Sequence, residues 1–110
     1  MFNQQLGLTL TPTGVALLAS SEHEVAPGVV HFAVLTTMAE VAAARAVGAA
    51  VVPAQVSVSL LARAAPGALR AEGTVVRRGR RLTVATGQVF AGDGADEVLV
   101  AMATVTFAML

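Results

Sequence analysis

GVVHFAVLTTMAEVAAARAVG runs from Gly28 to Gly48, and its reading decides the fold. Between Phe32 and Val47 there is neither proline nor glycine, alanine recurs, and only Glu40 and Arg45 carry charge. Helix propensity and burial agree over such a segment, so a helix is predicted for Phe32–Val47, with a turn at Gly28 feeding it and Gly48 as its stop. At 1.5 Å per residue the helix is roughly 25 Å long, enough to cross a small domain. A helix apolar on nearly every face is expected to be covered on nearly every face, so the rest of the chain must wrap it. Glu40 falls in its middle. An ionised carboxylate there is costly unless it is paired, hydrated or used, which makes Glu40 the starting point for function.

Outward from the helix, the pattern changes to strands. Met1–Gly7 reads as a lead-in, Leu8–Thr11 alternates, Pro12-Thr13-Gly14 turns, and Val15–Ser20 forms a second strand, together an N-terminal hairpin. Ser21–Pro27 is polar and ends in proline, a loop in which Glu22, His23 and Glu24 are expected to face solvent. After the helix, Val51–Pro53 is a short connection. From Gln55 the period is two, with Val56, Val58, Leu60 and Ala62 on one face and Gln55, Ser57, Ser59 and Arg63 on the other, a half-buried strand that ends at the Ala65-Pro66-Gly67 turn. Leu69–Arg77 and Leu82–Phe90 are strands joined at an Arg78-Gly79 tip, and Gly92–Asp96 is a loop. Val98–Met109 closes the chain as a long strand with Leu99, Ala101, Ala103, Val105 and Phe107 on one face. Two short strands, one long helix and a four-stranded antiparallel meander define an α+β class and a single domain over residues 1–110.

Composition narrows the function. The chain is 55% hydrophobic and 13% charged, a surplus of apolar surface for 110 residues that points to burial between subunits. Seven arginines, no lysine and seven acids give zero formal charge, so no overall field draws the chain to nucleic acid. The most apolar window is interrupted by His31, Glu40 and Arg45, which argues against a membrane span. With no cysteine and two histidines, zinc-ribbon, iron–sulfur and thiol-nucleophile chemistry are set aside, and no metal or bound cofactor is implied. The chain opens without a basic region leading into an apolar run, and cytoplasm is the expected compartment.

With this layout in place, His31-Phe32-Ala33-Val34-Leu35-Thr36-Thr37-Met38-Ala39-Glu40 resembles the signature of hotdog-fold thioesterases. In the phenylacetic-acid-degradation type and the related 4-hydroxybenzoyl-CoA thioesterases, His-Gly-Gly opens the central helix and an acid lies nine residues after the histidine, as Glu40 lies nine after His31. Leu69 to Leu82 resembles the family's strand–hairpin–strand with basic residues around a glycine, and Leu6-Gly7-Leu8 its Leu-Gly lead-in. The likeness covers about residues 6–107. It departs from the family at Phe32 and Ala33, where the two glycines stand, and at Val25, where an asparagine is frequent. The resemblance implies a hotdog fold, a curved antiparallel sheet wrapped around one helix, forming a homodimer and a dimer of dimers with its site between subunits. It implies hydrolysis of an acyl-CoA or similar thioester, with CoA entering only as part of the substrate.

In that setting Glu40 acts as nucleophile or general base, and backbone N–H groups near Phe32 and Ala33 hold the oxyanion. The alternative for Glu40 is an ion pair with Arg45 or another strand's arginine, although an i, i+5 spacing suits such a pair poorly. His31 is either part of the site or a residue that fixes the turn through backbone hydrogen bonds. Thr36 and Thr37, one turn before Glu40, either orient a water or bond back to their own helix. Gln55 and Ser57 are candidates for substrate contact from a partner subunit. Arg77, Arg78, Arg80 and Arg81 either grip CoA phosphates or keep a hairpin tip soluble. A non-catalytic acyl-ligand-binding or structural hotdog is the alternative function, and free-thiol release from acyl-CoA separates the two.

Overall fold

The computed structural model describes residues 1–110. The element order is α1 (Phe2–Leu6), β1 (Thr9–Thr11), β2 (Gly14–Ala19), β3 (Glu24–Ala26), β4 (Val29–Val30), α2 (Phe32–Val47), β5 (Val51–Leu60), β6 (Gly67–Arg77), β7 (Leu82–Ala91) and β8 (Val98–Met109). Six strands make one antiparallel sheet in the order β1-β2-β6-β7-β8-β5, and β3 and β4 pair separately. The expected helix has the expected bounds. His31 caps it, its Nδ1 accepting the Ala33 N–H at 2.9 Å, and Gly48 ends it in the left-handed region at φ 69°.

α2 lies across β6, β7 and β8 with β2 and β5 at its flanks. It buries Val34, Leu35, Met38, Ala39, Ala42, Ala43 and Val47, the face that a 3.6-residue period brings together. Small side chains let it sit on the sheet backbone. Gly73 and Gly87 pair across β6 and β7, and a Cβ on either would fall 2.0 Å from the carbonyl oxygen of Ala42 or Ala39. The opposite stripe, from Phe32 and Ala33 through Thr36, Thr37 and Glu40 to Arg45, is half-buried or exposed. The expectation that the rest of the chain covers the helix on nearly every face is therefore corrected: within one chain the alanines serve close approach on one side and the other side is left open.

Other elements also depart from the sequence expectation. The lead-in over Met1–Gly7 contains a short helix, residues 2–6, and the loop expected over Ser21–Pro27 contains a turn of 3₁₀ helix and strand β3. His23 there is half-buried, its Nε2 2.8 Å from the Leu6 carbonyl oxygen and its Nδ1 accepting the Ser20 N–H at 3.0 Å. The meander holds only for β6, β7 and β8. β5 begins at Val51, includes the expected connection, and pairs with β8 at the sheet edge. Residues 61–66 then carry the chain back across the sheet end to β6, pinned where the N–H groups of Leu61 and Ala62 reach the Val100 carbonyl.

As an edge strand β5 has no neighbour on its outer side, so Val56 and Leu60 are exposed although they share the sheet face of the buried Val105 and Ala101. In β8 a register shift opposite Val89 and Phe90 puts Val100 in the core in place of Leu99, while Ala101, Ala103, Val105 and Phe107 are buried as expected. No helix is long and apolar enough to cross a membrane.

Candidate active site

Glu40 sits at the midpoint of the open stripe of α2. It forms no ion pair, and its oxygens reach solvent in a cleft of about 650 Å³ lined also by Asn3, Val41, Ala44, Arg45 and Ala49–Val51. Partial burial raises its carboxyl above the ordinary glutamate range. The Arg45 alternative fails on geometry. The Arg45 guanidinium reaches back to the β1–β2 hairpin and donates through Nη1 to the carbonyl oxygens of Thr11, at 2.6 Å, and of Gly14. With its one nearby cation engaged elsewhere, Glu40 remains an unpaired, partly desolvated acid beside a cleft, the usual condition of a working carboxylate.

The start of α2 offers the donors. Four N–H groups at a helix N-terminus lack intrahelical partners, and here they are unequally used. Ala33 N–H is taken by His31 Nδ1 and Val34 N–H by the His31 carbonyl oxygen at 3.0 Å. Phe32 N–H has no acceptor within the chain. Of the two amides expected to hold an oxyanion, Ala33's is occupied and Phe32's is free. His31 thus holds the first turn of α2 through its ring and its carbonyl. The Phe32 ring is 56% exposed and lies 4.7 Å from the imidazole of His31, centroid to centroid. It borders a second cleft of about 380 Å³, apolar apart from Arg63, with Val25, Val29, Leu35, Leu60 and Leu61 among its walls.

Thr37 donates to the Ala33 carbonyl at 2.8 Å and is spent on its own helix. Thr36 makes no such bond and lies one turn before Glu40. Gln55 and Ser57 pair with Thr106 and Thr104, on the sheet face away from α2, so one chain does not bring them to Glu40. Arg77, Arg78, Arg80 and Arg81 surround the β6–β7 tip, exposed and without ion pairs. Arg81 O accepts from Met109 N–H, and Met109 pairs with Val51, so the basic tip stands at the Val51 end of the Glu40 cleft. Sequence reasoning missed Asn3, whose place in that cleft depends on a five-residue helix too short to show a period.

A curved antiparallel sheet across one long, closely seated helix is the hotdog fold, and solved structures agree. A thioesterase family protein from Silicibacter pomeroyi superimposes with a TM-score of 0.87 at 24% identity, covering 99% of this chain and 88% of the other. A conserved protein from Pseudomonas aeruginosa gives 0.86 at 24%, covering 99% and 93%. A Bacillus halodurans protein crystallised with CoA gives 0.79 at 22%, covering 87% and 70%. At these identities the likeness establishes the fold. No curated protein matches the sequence. Residues 20–108 match the acyl-CoA thioesterase N-terminal domain family, and the chain belongs to that family.

Proposed function

We propose that the protein hydrolyses acyl-CoA or similar thioesters at a site shared by two copies of the chain, with Glu40 from one and the Phe32 N–H from the other. A single observation carries this: the two halves of the site border separate clefts at opposite ends of the open edge strand β5. The Glu40 cleft reaches Val51, the first residue of β5, and the Phe32 cleft reaches Leu60 and Leu61, at its end. Along α2 the two groups are about 12 Å apart, whereas both must lie within about 3 Å of one carbonyl to act on it. Antiparallel pairing of two β5 edges about a two-fold axis sets Val51 of one chain against the partner's Leu60, and so joins one chain's Glu40 cleft to the partner's Phe32 cleft. The exposed Val52, Val56, Leu60 and Leu61 supply apolar area for that contact.

In the joined site the acyl group enters the partner's apolar cleft, and CoA phosphates extend toward Arg77, Arg78, Arg80 and Arg81. Glu40 either attacks the thioester carbonyl carbon or takes the proton of a water that does. The carbonyl oxygen becomes an oxyanion held by the partner's Phe32 N–H and the positive end of its helix. The C–S bond breaks, the sulfur leaves as thiolate and takes up a proton, and the products are a carboxylic acid and a free thiol. On the nucleophilic route water then hydrolyses the anhydride formed at Glu40. A raised carboxyl pKa makes Glu40 a stronger base where it is ionised.

Complementation tests the shared site. Glu40→Gln removes the base. Phe32→Pro removes the amide while keeping the helix, because proline suits the first helical position and His31 already holds the extended φ −62°, ψ 136° that a following proline requires. Each variant alone should release no thiol. Unfolded together and re-paired at random, they should recover about a quarter of wild-type activity, since half the dimers then carry one intact site of two. Recovery of nothing would place the whole site within one chain. Full activity in Glu40→Gln would remove Glu40 from the mechanism, and CoA-thioester binding without turnover by the folded wild type would make the protein an acyl-ligand binder.

A further inference from the structure

One side chain in the Glu40 cleft has no part in the hydrolysis described above. Asn3, from α1, lines that cleft. α1 has no fully buried residue, so core packing alone does not hold it. His23 ties it down. Because Nδ1 accepts the Ser20 N–H, Nε2 carries the proton and donates it to the Leu6 carbonyl oxygen, the last residue of α1. Leu6 itself rests against the edge of the core. A five-residue helix is thus latched by a half-buried histidine with both ring nitrogens engaged, and Asn3 is held at the cleft as a result.

The Asn3 carboxamide makes no hydrogen bond within the chain, and every other residue lining the cleft is apolar, glycine, Glu40 itself or Arg45. Arg45 is held by the carbonyl oxygens of Thr11 and Gly14. α1 and β5, the elements that flank the cleft opposite α2, carry no charged side chain. Among the residues that line the cleft with Glu40, Asn3 is therefore the one uncommitted polar side chain, while Thr36, one turn before Glu40 on α2, lies outside that lining.

We infer that Asn3 is a positioning residue for Glu40: across the cleft they share, its Nδ2–H donates to the carboxylate through one water and fixes which oxygen faces the thioester. This rests on Glu40 being the hydrolytic group, but it has a consequence that needs no turnover. A donor to the charged form of a carboxyl lowers its pKa, so removing the donor raises it.

The test is a ¹³C NMR titration of the Glu40 side-chain carboxyl in the full chain labelled at glutamate, with Glu40→Gln assigning the resonance. Asn3→Ala should raise the Glu40 pKa by about one unit, and the near-isosteric Asn3→Asp by more, because a second carboxylate opposes ionisation. Gln4→Ala, on the same helix but outside the cleft, should leave it unchanged. Against an acyl-CoA that the wild type cleaves, Asn3→Ala should lower kcat about tenfold with KM within about twofold, the scale of one hydrogen bond to a charged group. An unchanged Glu40 titration in both Asn3 variants overturns the assignment whatever the activity. A shifted titration together with full turnover in Glu40→Gln keeps the Asn3 contact and removes the hydrolytic role instead.

Discussion

Gly87→Ala tests how closely α2 is seated. Gly87 pairs with Gly73 on one side and Ala103 on the other, directly beneath the helix. A Cβ there would lie 2.0 Å from the Ala39 carbonyl oxygen and 2.7 Å from its carbon, where ordinary contact begins at 3.4 Å, so the helix must retreat by about 1.4 Å. The obstacle is backbone on both sides, and no rotamer change relieves it. Inserting a methyl group into a packed core costs 1–3 kcal/mol, and this contact belongs at the upper end, about 3 kcal/mol. At roughly 5 °C per kcal/mol for a domain of this size, the melting temperature should fall by about 15 °C. Gly28→Ala is the comparison: its Cβ meets nothing within 4 Å, and only its φ of +78° is strained, for about 1 kcal/mol and a fall of about 5 °C. Thermal unfolding followed by circular dichroism, at one protein concentration and with oligomer size checked, reads both. A Gly87→Ala protein that melts no lower than Gly28→Ala would refute the claim that α2 rests on the glycine pair.

Three further outcomes are expected. Glu40 has its pKa raised in the folded state, so the native protein holds the proton more tightly and stability falls as pH rises from the unfolded value through the folded one. Glu40→Gln should melt at or above wild type at pH 7 and match it below about pH 4, as melting temperature against pH will show. Replacing Arg80 and Arg81 together by alanine should raise KM for an acyl-CoA, less so at high salt, and leave turnover of a small thioester lacking the nucleotide unchanged. On the outer sheet face Arg70 grips Glu97 through two hydrogen bonds of 2.5 and 2.6 Å, reaches Glu72, and stacks 4.3 Å above the Phe90 ring. That guanidinium lowers the Glu97 pKa, so the pair stabilises the fold above the unfolded carboxyl value and the effect fades as pH falls through the lowered one. Denaturant midpoints of wild type and Glu97→Gln should therefore differ at neutral pH and converge in acid.

Long uninterrupted patterns were legible in the sequence, and contacts between distant residues were not. The bounds of α2 follow from sixteen residues without a breaker between a cap and a glycine, and those of β8 from twelve residues of strand pattern. α1 and β3 are too short to carry a period, and the glycine pair beneath α2 becomes visible only once β6 and β7 are in register. β5 showed a strand pattern, but the pattern does not say which neighbour a strand takes, and the 61–66 crossover sends it to β8. Glu40 stood out because a charge interrupts an apolar helix. That Arg45 does not answer it depends on carbonyl oxygens 34 and 31 positions away, which no local spacing reveals.

The sheet has two ends of unequal valence. β1 offers three residues at one end, with one of its carbonyls already bound by Arg45, while β5 offers ten at the other. In the terms of polymer chemistry the chain is a monofunctional unit. Under the proposed pairing, a second β5 would consume the one reactive end of each molecule and leave only short β1 stubs outward, so addition along the sheet would terminate at two copies instead of propagating into a fibre.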